Sequence, residues 1–96
     1  MQIRREAIAG TLESSDVLIK MEPSVHPLEV ILSSPVKAQY GASIEAQVRQ
    51  WLNEAGVSVG RVELEDKGAL DCTIMARLKT CLARASEPEK TEGGQA

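Results

Sequence analysis

Aromatic residues are almost absent from this chain of 96 residues, which contains no Phe, one Trp and one Tyr. A hydrophobic core must therefore be built from Val, Ile, Leu, Met and Ala, and such aliphatic cores pack adequately without aromatic rings. At this length the chain forms one small domain, because a second hydrophobic core would not fit.

An excess of basic residues is also missing, since 11 Lys and Arg stand against 14 Asp and Glu and give a net charge of −3. This balance argues against nucleic acids and anionic membranes as main partners, because both require a basic face. No apolar run approaches the roughly 20 residues that span a bilayer. The first ten residues, MQIRREAIAG, lack the apolar stretch of a secretory signal. We therefore expect a cytoplasmic protein that binds neither nucleic acid nor a membrane.

Two cysteines and one histidine offer little material for metal or redox chemistry. Cys72 and Cys81 are nine residues apart, which turns them about 180° from each other on one helix and prevents a disulfide within it. There is no Cys-x-x-Cys pair and no nearby histidine, so we predict no metal site and interpret both cysteines as buried structural thiols. His26 is expected in an exposed, proline-flanked loop, where it would be a poor catalytic base.

The stretch from Ala7 to Pro23 predicts a β-hairpin with Ser14-Ser15 as a two-residue turn and Glu13 opposite Asp16. In this register the apolar residues share one face, as cross-strand packing requires. The predicted pairs are Leu12 with Val17, Gly10 with Ile19, and Ile8 with Met21. The register therefore predicts that Ser14 lies at or beside an exposed tip.

The next stretch predicts a connection over Pro23 to Pro27, a third strand over Leu28 to Ser33, and then a helix. Ser34 is a suitable N-cap and Pro35 a suitable first helical residue, while Gly56 is a natural stop. Apolar residues follow at spacings of three and four, as in an amphipathic helix. They are Val36, Tyr40, Ile44, Val48, Trp51, Leu52 and Ala55.

Val57 to Glu65 predicts a fourth strand, with Val62 and Leu64 facing inward. A second amphipathic helix is predicted after it. Its apolar stripe comprises Leu70, Ile74, Leu78, Leu82 and Ala85. The stretch 86–96, SEPEKTEGGQA, lacks core-forming residues and is expected to be a disordered tail after a folded domain of residues 1–85.

The predicted order along the chain is β-β-β-α-β-α. An α+β fold, with a small, mostly antiparallel sheet and both helices packed on one face, is the simplest way to bury each apolar stripe. We interpret the acidic groups of the sequence as solvated surface rather than as a catalytic pair. These groups are Glu13 with Asp16, and Glu63 with Glu65 and Asp66.

Two segments resemble the acyl carrier (gamma chain) family of citrate lyase: AGTLESSDV at 9–17 and DKGALDCTIMARLKTCLARAS at 66–86. In that family the serine after Thr-Leu-Glu carries a 2'-(5''-phosphoribosyl)-3'-dephospho-CoA group through a phosphodiester. The resemblance therefore implies that Ser14 is the cofactor attachment site. The family pattern usually continues with glycine, whereas this chain has Ser15, so two adjacent hydroxyls are present.

The resemblance further implies a non-catalytic carrier that holds acetyl and citryl thioesters on this group. Its implied partners are the alpha subunit (citrate:acyl carrier transferase) and beta subunit (citryl lyase) of citrate lyase, a holo-carrier synthase and an acetate-activating ligase. Glu13 and Asp16 would repel the phosphates of the group or contact a basic patch on the synthase. The alternatives are a malonate decarboxylase carrier and an unmodified interaction or assembly module. A hydrolase that uses Ser14 and His26 is strongly disfavoured.

Overall fold

A computed structural model describes residues 1–35 and 37–88. This part of the chain folds in the predicted order of elements. The elements are β1 (Ala7–Gly10), β2 (Val17–Pro27), β3 (Glu29–Ser33), α1 (Lys37–Glu54), β4 (Val59–Asp66) and α2 (Asp71–Ala85). The strands form one sheet in the order β1-β2-β4-β3, in which β1–β2 and β2–β4 pair antiparallel and β3–β4 pair parallel. The predicted α+β class and mostly antiparallel sheet are therefore confirmed.

One face of the sheet supplies the strand half of the hydrophobic core, and alternate residues of β1, β3, β4 and the first half of β2 point into it. These residues are Ala9, Val17, Ile19, Met21, Val30, Leu32, Val62 and Leu64. Helix α2 packs on β1 and β2, while α1 packs on β3. The buried residues of both helices join this one core, as predicted. Neither described helix is long and apolar enough to cross a membrane.

The hairpin register differs by one residue from the predicted register. Ala7 lies opposite Met21 and Ala9 opposite Ile19, so the alternating positions of β1 that face the core are alanines. Ile8 is consequently 54% exposed, and Leu12, in the loop after β1, is 51% exposed. The physical reason is the close packing of α2 on β1, where small side chains leave room for the helix. Strand β1 ends at Gly10, so residues 11–16 form a loop, and the predicted Ser14-Ser15 turn lies within it, with Glu13 opposite Asp16.

Three further predictions need correction. The stretch from Pro23 to Pro27 continues β2 across a register irregularity rather than forming a connection. Helix α1 begins at Lys37, two residues after Pro35. Leu70 and Tyr40, both predicted on apolar stripes, are 71% and 58% exposed. Leu70 immediately precedes α2 and Tyr40 lies in the first turn of α1, so neither is covered by the core. Val36 and most of the predicted tail, 89–96, lie outside the described residues.

The two cysteines are free and lie in different environments, so the prediction that both are buried is wrong. Cys81 is fully buried beneath β1 and β2, and its Sγ lies 3.4 Å from the carbonyl oxygen of Ala7. Cys72 is exposed. The nine-residue spacing puts the two side chains on opposite sides of α2, and only one side of this helix faces the core.

We expect the two thiols to differ sharply in reactivity. Burial raises the pKa of Cys81 to about 11, so only about one in a thousand of these thiols would be ionised at pH 8. One equivalent of Ellman's reagent should therefore react quickly with the native chain at pH 8, at Cys72. The second equivalent should react only in denaturant. Fast reaction of two thiols in the native state, or of one thiol in a Cys72→Ser variant, would contradict this expectation.

Candidate functional site

Ser14 occupies the tip of a β-turn between β1 and β2. The turn is closed by the amide of Asp16, which donates a hydrogen bond to the carbonyl oxygen of Glu13 at 3.1 Å. Ser14 and Ser15 are both exposed, as the sequence predicted. Ser15 has a φ of 67°, whereas Ser14 is not among the residues with positive φ. The turn is therefore not one of the primed turns, which require a positive φ at the first central residue.

The backbone of this turn is fixed to the end of β4. The amide of Ser15 donates to the carbonyl oxygen of Lys67, and the amide of Lys67 donates to the carbonyl oxygen of Asp16, both at 2.8 Å. These bonds continue the antiparallel pairing of Val17 with Asp66. The turn is therefore an anchored extension of the sheet rather than a free tip.

The carboxylate of Asp16 organises the rest of the loop. It accepts hydrogen bonds from Thr11 Oγ1 at 2.6 Å and from the amide of Val17 at 2.7 Å. Arg77 of α2 binds it in bidentate fashion, with Nε 3.0 Å from Oδ1 and Nη2 2.8 Å from Oδ2. The Asp16 side chain is only 14% exposed. Asp16 is thus a structural group, and its interpretation as solvated surface is wrong.

This network also changes the electrostatics beside Ser14. The hydrogen bonds from Arg77, and then those from Thr11 and the amide of Val17, hold the pKa of Asp16 well below its usual range. The hydrogen bond to Asp16 raises the pKa of Arg77. The positive charge of Arg77 balances the negative charge of Asp16. A repulsion of phosphates near Ser14 would therefore come from the exposed carboxylate of Glu13.

We expect the contribution of Asp16 to stability to disappear in acid. Because its folded pKa is lowered, this contribution is complete above the unfolded pKa of about 3.9 and is lost as the pH falls through the folded value. Asp16→Asn should therefore lower the urea midpoint at pH 7, and the difference from the unchanged chain should shrink below about pH 4. Urea unfolding followed by Trp51 fluorescence between pH 7 and pH 2 measures this difference.

Glu13→Gln is the matched control, because it removes an exposed carboxylate from the same turn. Its urea midpoint should stay close to that of the unchanged chain at pH 7. A difference between Asp16→Asn and the unchanged chain that stayed constant down to pH 2 would show that the lost stability does not depend on the charge of Asp16.

Asp66, at the end of β4, fixes the other side of the site. It is 2% exposed, so the prediction of a solvated carboxylate is wrong here too. Its Oδ1 accepts hydrogen bonds from the amides of Gly68 and Ala69 at 3.2 and 2.9 Å. Its Oδ2 accepts a hydrogen bond from the hydroxyl of Ser34 at 2.7 Å. An Asp-x-Gly pattern after a strand is typical of a turn in which the Asp side chain accepts hydrogen bonds from the amides that follow. This turn could therefore have been predicted from the sequence.

The surroundings of Ser14 suit a covalently attached group and not a hydrolytic centre. Its side chain is exposed in the turn, and among the described residues no hydrogen bond to its hydroxyl is present. A phosphodiester to this hydroxyl would therefore displace no bond of the fold. His26 is exposed, as predicted, but it lies near the opposite end of β2. The structure does not bring His26 and Ser14 together, which argues against the hydrolase alternative.

Comparisons with known proteins identify the family. The sequence profile of a family described as "Malonate decarboxylase delta subunit (MdcD)" matches residues 4–85. A citrate lyase acyl carrier protein of Treponema denticola is 49% identical over 87 residues, which cover 91% of this chain and 99% of the relative. The protein of the same name from Albidiferax ferrireducens is 47% identical over 93 residues, which cover 96% and 95%.

A third relative, the citrate lyase acyl carrier protein of Haemophilus influenzae, is 46% identical over 87 residues, covering 91% of this chain and 90% of the relative. No solved structure matches this chain significantly. Three relatives that share nearly half of their residues with this chain, over almost its whole length, carry the same name. The chain therefore belongs to the citrate lyase acyl carrier protein family.

Proposed function

We propose that this chain is the acyl carrier subunit of citrate lyase and that Ser14 is the residue that carries its prosthetic group. The observation that supports this most directly is the exposed hydroxyl of Ser14, in a turn whose backbone is fixed to the end of β4. The attached group would be 2'-(5''-phosphoribosyl)-3'-dephospho-CoA, whose thiol holds acetyl and citryl groups as thioesters.

The chain itself contributes presentation rather than bond chemistry. A long arm fixed to an exposed corner keeps its end at high effective concentration near any active site to which the carrier is docked. The proposed sites are those of the alpha and beta subunits of citrate lyase, in the cytoplasm. Within 1–35 and 37–88 no histidine lies beside Ser14, so a holo-carrier synthase would have to activate the hydroxyl. An acetate-activating ligase would supply the first acetyl group.

Mass spectrometry tests the attachment directly. The chain would be co-expressed with the holo-carrier synthase of citrate lyase and the pathway for its precursor, and then analysed intact and as peptides. We expect the added mass of the phosphoribosyl dephospho-CoA group on the peptide that contains Ser14. A chain that stays unmodified, under conditions that load a known carrier, would favour an unmodified assembly module.

A second candidate is the carrier subunit of malonate decarboxylase, which the description of the matching family profile favours. The two functions share the attachment chemistry and differ in the partner subunits. The loaded chain should therefore be mixed with the alpha and beta subunits of citrate lyase, and in parallel with the remaining subunits of malonate decarboxylase. Oxaloacetate formed from citrate supports the first candidate, and carbon dioxide released from malonate supports the second.

A further inference from the structure

Two adjacent hydroxyls stand at the proposed attachment turn, and exposure alone does not distinguish them. Ser14 and Ser15 are both exposed. Their backbones differ, because Ser15 is held with a positive φ and its amide is bonded to Lys67 at the end of β4. Ser14 is the first central residue of the same turn, and its φ is not positive. The groups that hold the turn in this orientation therefore bear on which of the two hydroxyls is presented.

A cluster of side chains holds both limbs of the loop together. On the first limb, the Thr11 hydroxyl donates to Asp16 and accepts the amide of Glu13 at 3.2 Å. On the second limb, Asp16 accepts the amide of Val17, the first residue of β2. A single carboxylate thus closes the loop at its base, below the Ser14-Ser15 corner.

Arg77 connects this carboxylate to the helix layer. Its two bonds to Asp16 use the fork geometry that matches guanidinium to carboxylate, which restricts rotation as well as separation. The Arg77 side chain passes close to Gly10, since its Cδ would lie 3.4 Å from a Cβ placed there. Arg77 therefore passes beside the end of β1 and binds Asp16 at the end of the loop.

We propose that Arg77 is a specificity-determining positioning residue, which holds the turn so that Ser14 and not Ser15 is presented for modification. It does so through Asp16 and makes no contact with the reacting atoms. The inference rests on the proposed function, because it concerns the same modification. Without the guanidinium, Asp16 would keep its charge but lose its rigid connection to α2. The turn would then change its orientation more readily, and Ser15 would be presented in place of Ser14 part of the time.

The test compares four chains, each co-expressed with the holo-carrier synthase and the precursor pathway: the unchanged chain, Arg77→Gln, Arg77→Lys and Arg84→Gln. Arg84 is the matched control, because it lies on the same helix and also donates to the loop-side strand β1, at the carbonyl oxygen of Ile8, 2.8 Å away. Arg77→Lys keeps the positive charge but removes the bidentate hydrogen bonding of the guanidinium to Asp16. Peptide mass spectrometry over time gives both the rate of loading and the modified serine.

We expect the unchanged chain and Arg84→Gln to be modified at Ser14 alone. Arg77→Gln should be loaded about tenfold more slowly, since small displacements of a reacting group have effects of this size or larger, and part of the modification should appear on Ser15. Arg77→Lys should fall between the two. Loss of stability alone would slow loading without moving the modification to Ser15.

A second measurement does not depend on loading. Hydrogen exchange of the unmodified chain should show faster exchange of the Ser15 amide in Arg77→Gln than in Arg84→Gln, because this amide donates to Lys67 only while the turn is held. Equal loading at Ser14 alone in Arg77→Gln, with unchanged exchange, would overturn the inference while the proposed function stands. An unchanged chain that is not loaded would overturn both.

Discussion

Replacement of Ser14 with alanine is expected to abolish covalent loading of the chain and to leave its fold intact. Loading needs the Ser14 hydroxyl oxygen, which would lose its proton and bond to phosphorus of the activated precursor as a phosphate-type leaving group departs. Alanine has no such oxygen, so no partial loading at this position is expected. The fold should be unaffected, because the side chain is exposed and its hydroxyl makes no hydrogen bond among the described residues. Intact mass after co-expression with the synthase measures the loading, and urea unfolding measures the stability.

Ser15→Gly is the matched control for this experiment, because it removes the neighbouring hydroxyl and leaves Ser14. Loading should remain complete. Stability should rise by up to about 1 kcal/mol, since glycine adopts the positive φ of this position without strain. Full loading of Ser14→Ala, or loss of loading in Ser15→Gly, would assign the attachment to Ser15 instead.

The largest effect on stability is expected from Gly10→Ala. Gly10 ends β1 with a φ of 98°, and a Cβ at this position would lie 1.8 Å from the carbonyl oxygen of Val17. The backbone of the hairpin would have to separate at the base of the loop. We expect a loss of more than about 3 kcal/mol in the free energy of unfolding, because the unfavourable φ alone costs about 1–3 kcal/mol and the steric overlap adds to it.

Gly68→Ala separates these two causes. Gly68 has a similar φ of 91°, but nothing lies within 4 Å of a Cβ added there. Its substitution should therefore cost only the backbone strain, about 1–3 kcal/mol. Urea unfolding followed by the fluorescence of Trp51, which packs partly buried against the core, measures both variants. Equal losses for the two variants would show that the overlap at Gly10 relaxes without cost.

Most of the fold could be predicted from apolar periodicity, because each pattern reports a local property. Val30 and Leu32 alternate along β3 and are buried, and Ile44, Val48 and Leu52 lie on the buried side of α1. The hairpin register could not be predicted in the same way. Pairing Ile8 with Met21 satisfied the alternation, but α2 packs on β1 and the structure turns the alanines inward instead.

The candidate site also has features that could be predicted from the sequence and features that depend on tertiary contacts. The resemblance to a known family indicated Ser14, and the turn between two strands predicted its exposure. The prediction that Asp16 and Asp66 are solvated was wrong, because a sequence shows neither the burial of a carboxylate nor its hydrogen-bond partners. Arg77 was missed as a site residue because it lies 61 residues from Asp16 along the chain, and only the packing of α2 on β1 and β2 brings the two together.

The sequence by itself therefore determined the order of the elements, the fold class, and the serine at the tip of a turn. These features depend on residues that are neighbours along the chain, where spacing and local conformational preference act directly. Only the tertiary structure decided the hairpin register, which of the two cysteines is buried, and the connection of Arg77 through Asp16 to the Ser14 turn. Each of these depends on which helix covers which strand, and that contact forms between residues distant in the chain.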